Sequence, residues 1–116
     1  MSSRDWVFRV QDILMAIDKI ERYIKNTTMA QFHKDELVID AVIRNFEIIG
    51  EASKAMPIAI RNSYADIPWS EMSGMRDILI HEYFGVDTKI IWHTAKKYLP
   101  PLRKQLLALL QEKSKN

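Results

Sequence analysis

The chain contains no cysteine, three glycines and four prolines in 116 residues. Without thiols it can form neither disulfides nor thiolate metal sites, which suits a reducing compartment, and a cytoplasmic location is expected. No run of apolar residues approaches membrane-spanning length. The opening Met1-Ser2-Ser3-Arg4-Asp5 lacks the apolar core of a signal peptide, so no membrane partner is expected. No His-x-x-x-His or paired-carboxylate spacing points to a metal site, and no cofactor is expected. A formal net charge of +2 is too small to announce a nucleic-acid binder. Any such contact must come from a local concentration of basic residues.

What is present is helical periodicity, and strand-like alternation is absent, so the chain reads as all-α. A length of 116 residues is enough for one domain, 1–116, with a core that needs neither disulfides nor metal. From about Arg4 to Asn26, Trp6, Val10, Ile13, Ile17, Ile20 and Ile24 recur at alternating four-three spacing, a helix seam. Asn26-Thr27-Thr28 ends it, and His33 falls in the following loop, exposed and inert. A second helix runs from an Asp35 N-cap to about Ala55, before Pro57. It carries two adjacent apolar stripes, which predicts contact on several sides. Gly50 inside it costs about 1 kcal/mol relative to alanine, so another backbone is expected to approach there.

Pro57–Ser63 reads as a short helical turn. Ser70, preceded by Trp69, reads as the N-cap of a third long helix that Phe84-Gly85 terminates. Asp87-Thr88 caps the next, with Ile90, Ile91, Thr94 and Tyr98 as its apolar set, and His93 as a packing or surface residue. Pro100 and Pro101 open the last, with Leu102, Leu106, Leu109 and Leu110 inward. Arg103, Lys104, Lys113 and Lys115 make that helix basic, either as a solvated face or as contacts for phosphates. The architecture expected is an up-and-down bundle of four to five main helices.

The chemically pointed stretch is Gly74-Met75-Arg76-Asp77-Ile78-Leu79-Ile80-His81-Glu82-Tyr83-Phe84-Gly85. Arg76 offers a permanent cation and a planar fork of donors suited to phosphate oxygens. His81 can give and take a proton near neutrality, and Tyr83 adds a hydroxyl. Such a set can cleave RNA without a metal. The same residue types near a helix C-terminus also serve simply to cap the last carbonyls and favour the dipole. Arg76 and Tyr83, seven apart, share a helix face, whereas His81 lies about 140° round from Arg76. One straight helix therefore does not aim both at a single phosphate. Either the helix loosens near His81, or a second copy of the chain completes the site. Arg44, Asn45, Glu47 and Glu51 interrupt the apolar second helix. They read either as an intrahelical network around Arg44 or as residues flanking a site or a self-association surface.

Arg76, His81 and Tyr83 reproduce an Arg-x4-His-x-Tyr pattern, and in this the chain resembles the HepT-like ribonuclease toxins of the HEPN superfamily. Arg44-Asn45-Phe46-Glu47-Ile48-Ile49-Gly50-Glu51-Ala52 is similar to that family's second-helix block. Ile67-Pro68-Trp69, the Met75–Asp87 stretch, Ile91-Trp92 and Leu99-Pro100 continue the likeness over nearly the whole chain. The resemblance implies a HEPN-like helical fold and a metal-independent endoribonuclease toxin of a type VII toxin–antitoxin system, with RNA, tRNA being expected, as substrate and no DNA partner. It implies His81 as general acid or base, Arg76 as phosphate clamp and Tyr83 as an RNA contact, with Arg44, Asn45, Glu47 and Glu51 in support. It further implies a homodimer, and neutralisation by an MntA-like minimal nucleotidyltransferase antitoxin that transfers AMP to Tyr83. The alternative is a catalytically inactive helical dimer that binds a nucleotide or a protein.

Overall fold

The periodicity of the apolar residues is realised as helices, and the computed structural model describes residues 3–81 and 87–114, with 3–4 and 77–81 in backbone only. Along α1 (Ser3–Ile24), the seam Trp6, Val10, Ile13, Ile17, Ile20 and Ile24 is buried throughout, joined by Ala16. α3 (Glu36–Lys54) begins at Asp35, whose Oδ1 accepts from the Val38 amide at 3.1 Å, and ends at Ala55. Its two apolar stripes face two neighbours, α1 on one and α5 (Trp69–His81) on the other. The width of the apolar surface thus follows from a central position.

A further helix stands where a loop was expected. α2 (Met29–Lys34) is opened by Thr28, which accepts from the Gln31 amide at 3.1 Å while the Gln31 side chain accepts from the Thr28 amide at 3.0 Å. This capping box satisfies two amide donors that would otherwise be orphaned. His33 is therefore helical, and its Nδ1 lies 2.6 Å from Thr88 Oγ1, so it tethers α2 to the start of α6 (Thr88–Lys97). Phe32, buried on the same short helix, packs against Trp92 with ring centroids 5.4 Å apart.

α4 (Ile58–Ser63) is the short turn expected after Pro57, and α7 (Leu99–Ser114) takes both prolines in its first turn. One boundary and one face differ from the sequence reading. α5 starts at Trp69, with Pro68 O accepting from the Met72 amide at 3.0 Å, so Ser70 lies inside the first turn and is not its cap. In α6 the buried positions are Ile91 and Ala95, continued by Leu99, while Ile90 and Tyr98 are exposed. The small side chain of Ala95 lets α6 lie close, and that contact selects the helix phase. α7 packs against α1 and α6 through Leu102, Leu106 and Leu109, and α2 rests on α3 and α6.

Five longer helices and two short ones make up the described fold, which is all-α with no strand among the described residues. None of the described helices is long and apolar enough to cross a membrane.

Candidate functional site

The position of Arg76 is set by the seating of α5. Trp69 is buried at its N-terminal end, and its indole Nε1 donates to Tyr64 O at 3.1 Å. One turn on, Met72 is fully buried. α5, anchored in this way, packs against α3, and the two helices approach closely at Gly50. A Cβ placed there would lie 2.7 Å from Arg76 Cβ and 3.1 Å from the Arg76 amide nitrogen. Carbon atoms in ordinary contact sit about 3.5–4.0 Å apart, so only glycine admits this approach. The close approach expected at Gly50 is therefore made, and the backbone that makes it belongs to Arg76.

The next residue on α3 supplies the electrostatic partner. Glu51 Oε1 lies 3.7 Å from Arg76 Nε, an ion-pair separation too long for a good hydrogen bond. The Nε atom is buried with no hydrogen-bond partner among the described residues. The Arg76 side chain as a whole is 38% exposed, so part of it faces outward. With its backbone and Cβ seated on Gly50, its Nε beside one carboxylate and its side chain partly exposed, Arg76 can offer its remaining donors to an anion without leaving its seat. Glu51 itself is half exposed. The pair is then worth at most about 1 kcal/mol, so its consequence is orientation and not stability.

The other polar residues of α3 divide. Arg44 Nη1 pairs with Glu47 Oε2 at 3.4 Å, one helical turn along. The intrahelical pairing expected around Arg44 thus includes Glu47, while Glu51 turns to α5. Asn45 is buried, and its Nδ2 donates to Ala41 O at 2.8 Å, so its amide is engaged by its own helix.

The backbone of α5 remains α-helical through His81. Loosening of the helix before His81 is therefore not seen, and the angle of about 140° between Arg76 and His81 about the axis stands. The side chain of His81, the whole of Tyr83 and the expected stop at Phe84-Gly85 lie outside the described residues.

One feature of the surface was not foreseen. Lys19, Arg22 and Lys25, three apart on successive turns at the end of α1, line a groove together with Lys96 of α6 and Arg103 of α7. Their spacing is visible in the sequence, but the contribution of α6 and α7 requires the fold. Arg103 also departs from the basic face expected for α7. It pairs with Asp18 and, at 3.5 Å, with Glu21, so it fastens α7 to α1.

With this arrangement in view, the relatives become informative. Residues 13–109 match the family described as Ribonuclease HepT-like, and the chain belongs to that family. Over 103 residues it is 42% identical to a Caldanaerobacter subterraneus protein named "Putative RNase", covering 89% of this chain and 92% of that one. A Thermococcus cleftensis protein named "Probable ribonuclease HepT" is 45% identical over 94 residues, 81% of this chain and 86% of its own. A Methanocaldococcus jannaschii protein named "Gamma-glutamylcyclotransferase and putative RNase" is 43% identical over 113 residues. That match takes in 97% of this chain, which spans about half of the larger protein, 51%. No solved structure gives a significant match.

Proposed function

We propose that this chain is a metal-independent endoribonuclease whose active residues are Arg76 and His81. The observation that carries the reading is the built seat of Arg76, whose backbone and Cβ rest on Gly50 and whose partly exposed side chain lies beside Glu51, in a member of a ribonuclease family. In the reaction a base removes the proton from a ribose 2′-OH, and the 2′-oxygen attacks the adjacent phosphorus. The bond from phosphorus to the 5′-oxygen breaks, and an acid protonates that leaving oxygen. His81 is the proton-transfer group, and Arg76 holds the phosphate oxygens where negative charge develops. The products carry a 2′,3′-cyclic phosphate or its hydrolysis product.

The angle between Arg76 and His81 supports a dimer in which the two motif helices face each other, so that each site draws on both copies. Light scattering at working concentration should give twice the chain mass, and a strictly monomeric particle would rule this arrangement out. Within this reading tRNA is the substrate, and the protein acts as the toxin of a pair. Tyr83 contacts RNA until a partner nucleotidyltransferase places AMP on it. The added charge and bulk would then occupy the space that a substrate phosphate needs.

The test is incubation of total tRNA in EDTA with the wild-type protein and with His81→Ala, each of unmodified mass. Cleavage by wild type alone is expected. Undiminished cleavage by His81→Ala would refute the assignment, and no cleavage by either would favour a helical binding module.

A further inference from the structure

The groove where the end of α1 meets α6 and α7 holds a local charge that the whole chain conceals. Five cations, Lys19, Arg22, Lys25, Lys96 and Arg103, line it against two carboxylates, Asp18 and Glu21. Its net charge of +3 exceeds the +2 of the entire protein, so the remaining surface is slightly acidic. Both carboxylates are engaged by one residue, Arg103. None of the other four cations is in an ion pair among the described residues. Arg103 therefore engages both acids and offsets one of their two charges, so the four other cations outweigh the rest by three.

The aromatic neighbours of these cations narrow the choice of partner. The Arg22 guanidinium lies 6.0 Å from the ring centroid of Tyr23, and Lys96 Nζ lies 5.0 Å from that of Trp92. Tyr23 is partly exposed and Trp92 half-buried, and both stand at the margin of the groove. Free cations in a groove with aromatic rings at its margin suit single-stranded nucleic acid, where phosphates meet the charges and bases stack on rings. An acidic peptide uses the charges but leaves the rings idle. The groove belongs to the α1–α6–α7 side of the molecule, whereas Arg76 stands on α5, which α3 carries on its other stripe. It is a separate surface from the motif.

We propose that the α1–α6–α7 groove is a second RNA-binding surface, which holds the phosphate backbone of a single-stranded segment through Lys19, Arg22, Lys25 and Lys96. Its role is to hold RNA that extends beyond the bond being cut. The inference is independent of catalysis and is tested by binding alone.

The probe is a fluorescent 2′-O-methyl RNA oligonucleotide of about 16 nucleotides, the upper range of such sites, which the 2′-hydroxyl chemistry cannot cleave. Its affinity is measured by anisotropy from 50 to 200 mM NaCl for wild type, Lys19→Gln/Lys96→Gln, and the fourfold variant that adds Arg22→Gln and Lys25→Gln. Each lost phosphate contact lowers the slope of log affinity against log salt by about 0.7 for a single strand. The fourfold variant should therefore lose about 3 from the slope and the double variant about half of that. Over the same salt range wild type should weaken about 50-fold more than the fourfold variant. Equal slopes in all three proteins, no binding by wild type, or equal displacement by polyglutamate would each overturn the proposal. The double variant, which changes only one residue on each helix, keeps the test decisive should the fourfold variant unfold. Wild type that binds through the groove yet cuts no RNA would remove the ribonuclease reading alone. Wild type that cuts while all slopes agree would remove the groove alone.

Discussion

Replacing Gly50 by alanine is the sharpest test of how Arg76 is held. The new Cβ would sit 2.7 Å from Arg76 Cβ, with the Arg76 amide nitrogen at 3.1 Å and Cα at 3.3 Å. These atoms belong to the backbone and first carbon of α5, so no rotamer change relieves them. To restore an ordinary carbon contact the helices must part by about 1 Å at this point. Overpacking of this kind costs about 1–3 kcal/mol, and exchanging glycine for alanine within a helix returns about 1 kcal/mol. The net destabilisation is then between zero and about 2 kcal/mol, a fall in Tm of up to about 8 °C for a chain of this size. Function should suffer more. A misplacement of about 1 Å in a group that positions substrate can cost on the order of 100-fold in rate.

Gly74 provides the matched comparison. It lies on α5 two residues before Arg76, and a Cβ there would meet nothing within 4 Å among the described residues. Gly74→Ala therefore removes only the conformational freedom of glycine and should stabilise by about 1 kcal/mol, raising Tm by about 4 °C. Its cleavage rate should match wild type. The assay pairs thermal unfolding followed by circular dichroism with initial rates of tRNA cleavage in EDTA. The reasoning is refuted if Gly50→Ala gains stability as Gly74→Ala does and cuts at the wild-type rate. The distance between α3 and α5 would then not be what places Arg76.

Two further substitutions separate orientation from stability. Glu51→Gln keeps the shape but removes the charge beside Arg76. Cleavage should fall several-fold while Tm moves by no more than about 4 °C, because a half-exposed ion pair contributes at most about 1 kcal/mol. A Tm loss several times larger, with normal cleavage, would make Glu51 a structural residue instead. Phe32→Ala should cost about 3–5 kcal/mol in urea unfolding, since its side chain is fully buried against Trp92. A loss below about 1 kcal/mol, the level of a surface change, would mean that α2 is not part of the cooperative core.

What could be read from the sequence depended on whether one helix sufficed to decide it. The α1 seam was legible because Trp6 through Ile24 repeat on a single face over 22 residues. The central place of α3 was legible because its two stripes can only be buried by two neighbours. α2 was missed because six residues are too few for periodicity to register. Thr28, taken as the end of the first helix, in fact opens the next, and its partner Gln31 was the available signal. In α6 the expected set of Ile90, Ile91, Thr94 and Tyr98 is buried at Ile91 but not at Ile90 or Tyr98. It passed over Ala95, because alanine adds little apolar weight to a pattern yet is easily buried. The motif itself was legible as a pattern, and the seat beneath it only in part: Gly50 declared a close approach, but not that the approaching backbone would be that of Arg76.

Arg103 shows most clearly why charge cannot be assigned from one helix at a time. Along α7 it belongs to a basic series with Lys104 and Lys113, and counted with them it serves as a phosphate contact. Placed against α1, it is committed to Asp18 and Glu21. The cations left over are instead Lys19 and Arg22 of α1 and Lys25 just past its end, which read in line are balanced by those same carboxylates. Pairing across helices thus moves the available positive charge from α7 to α1, though no residue and no net charge has changed. A chain of +2 can present a +3 groove because its acids are tied down by a residue that packing had already engaged. The quantity that governs a polyanion's choice of surface is the number of unpaired cations within about one Debye length, roughly 8–10 Å in ordinary salt, and that number exists only once the helices have been packed.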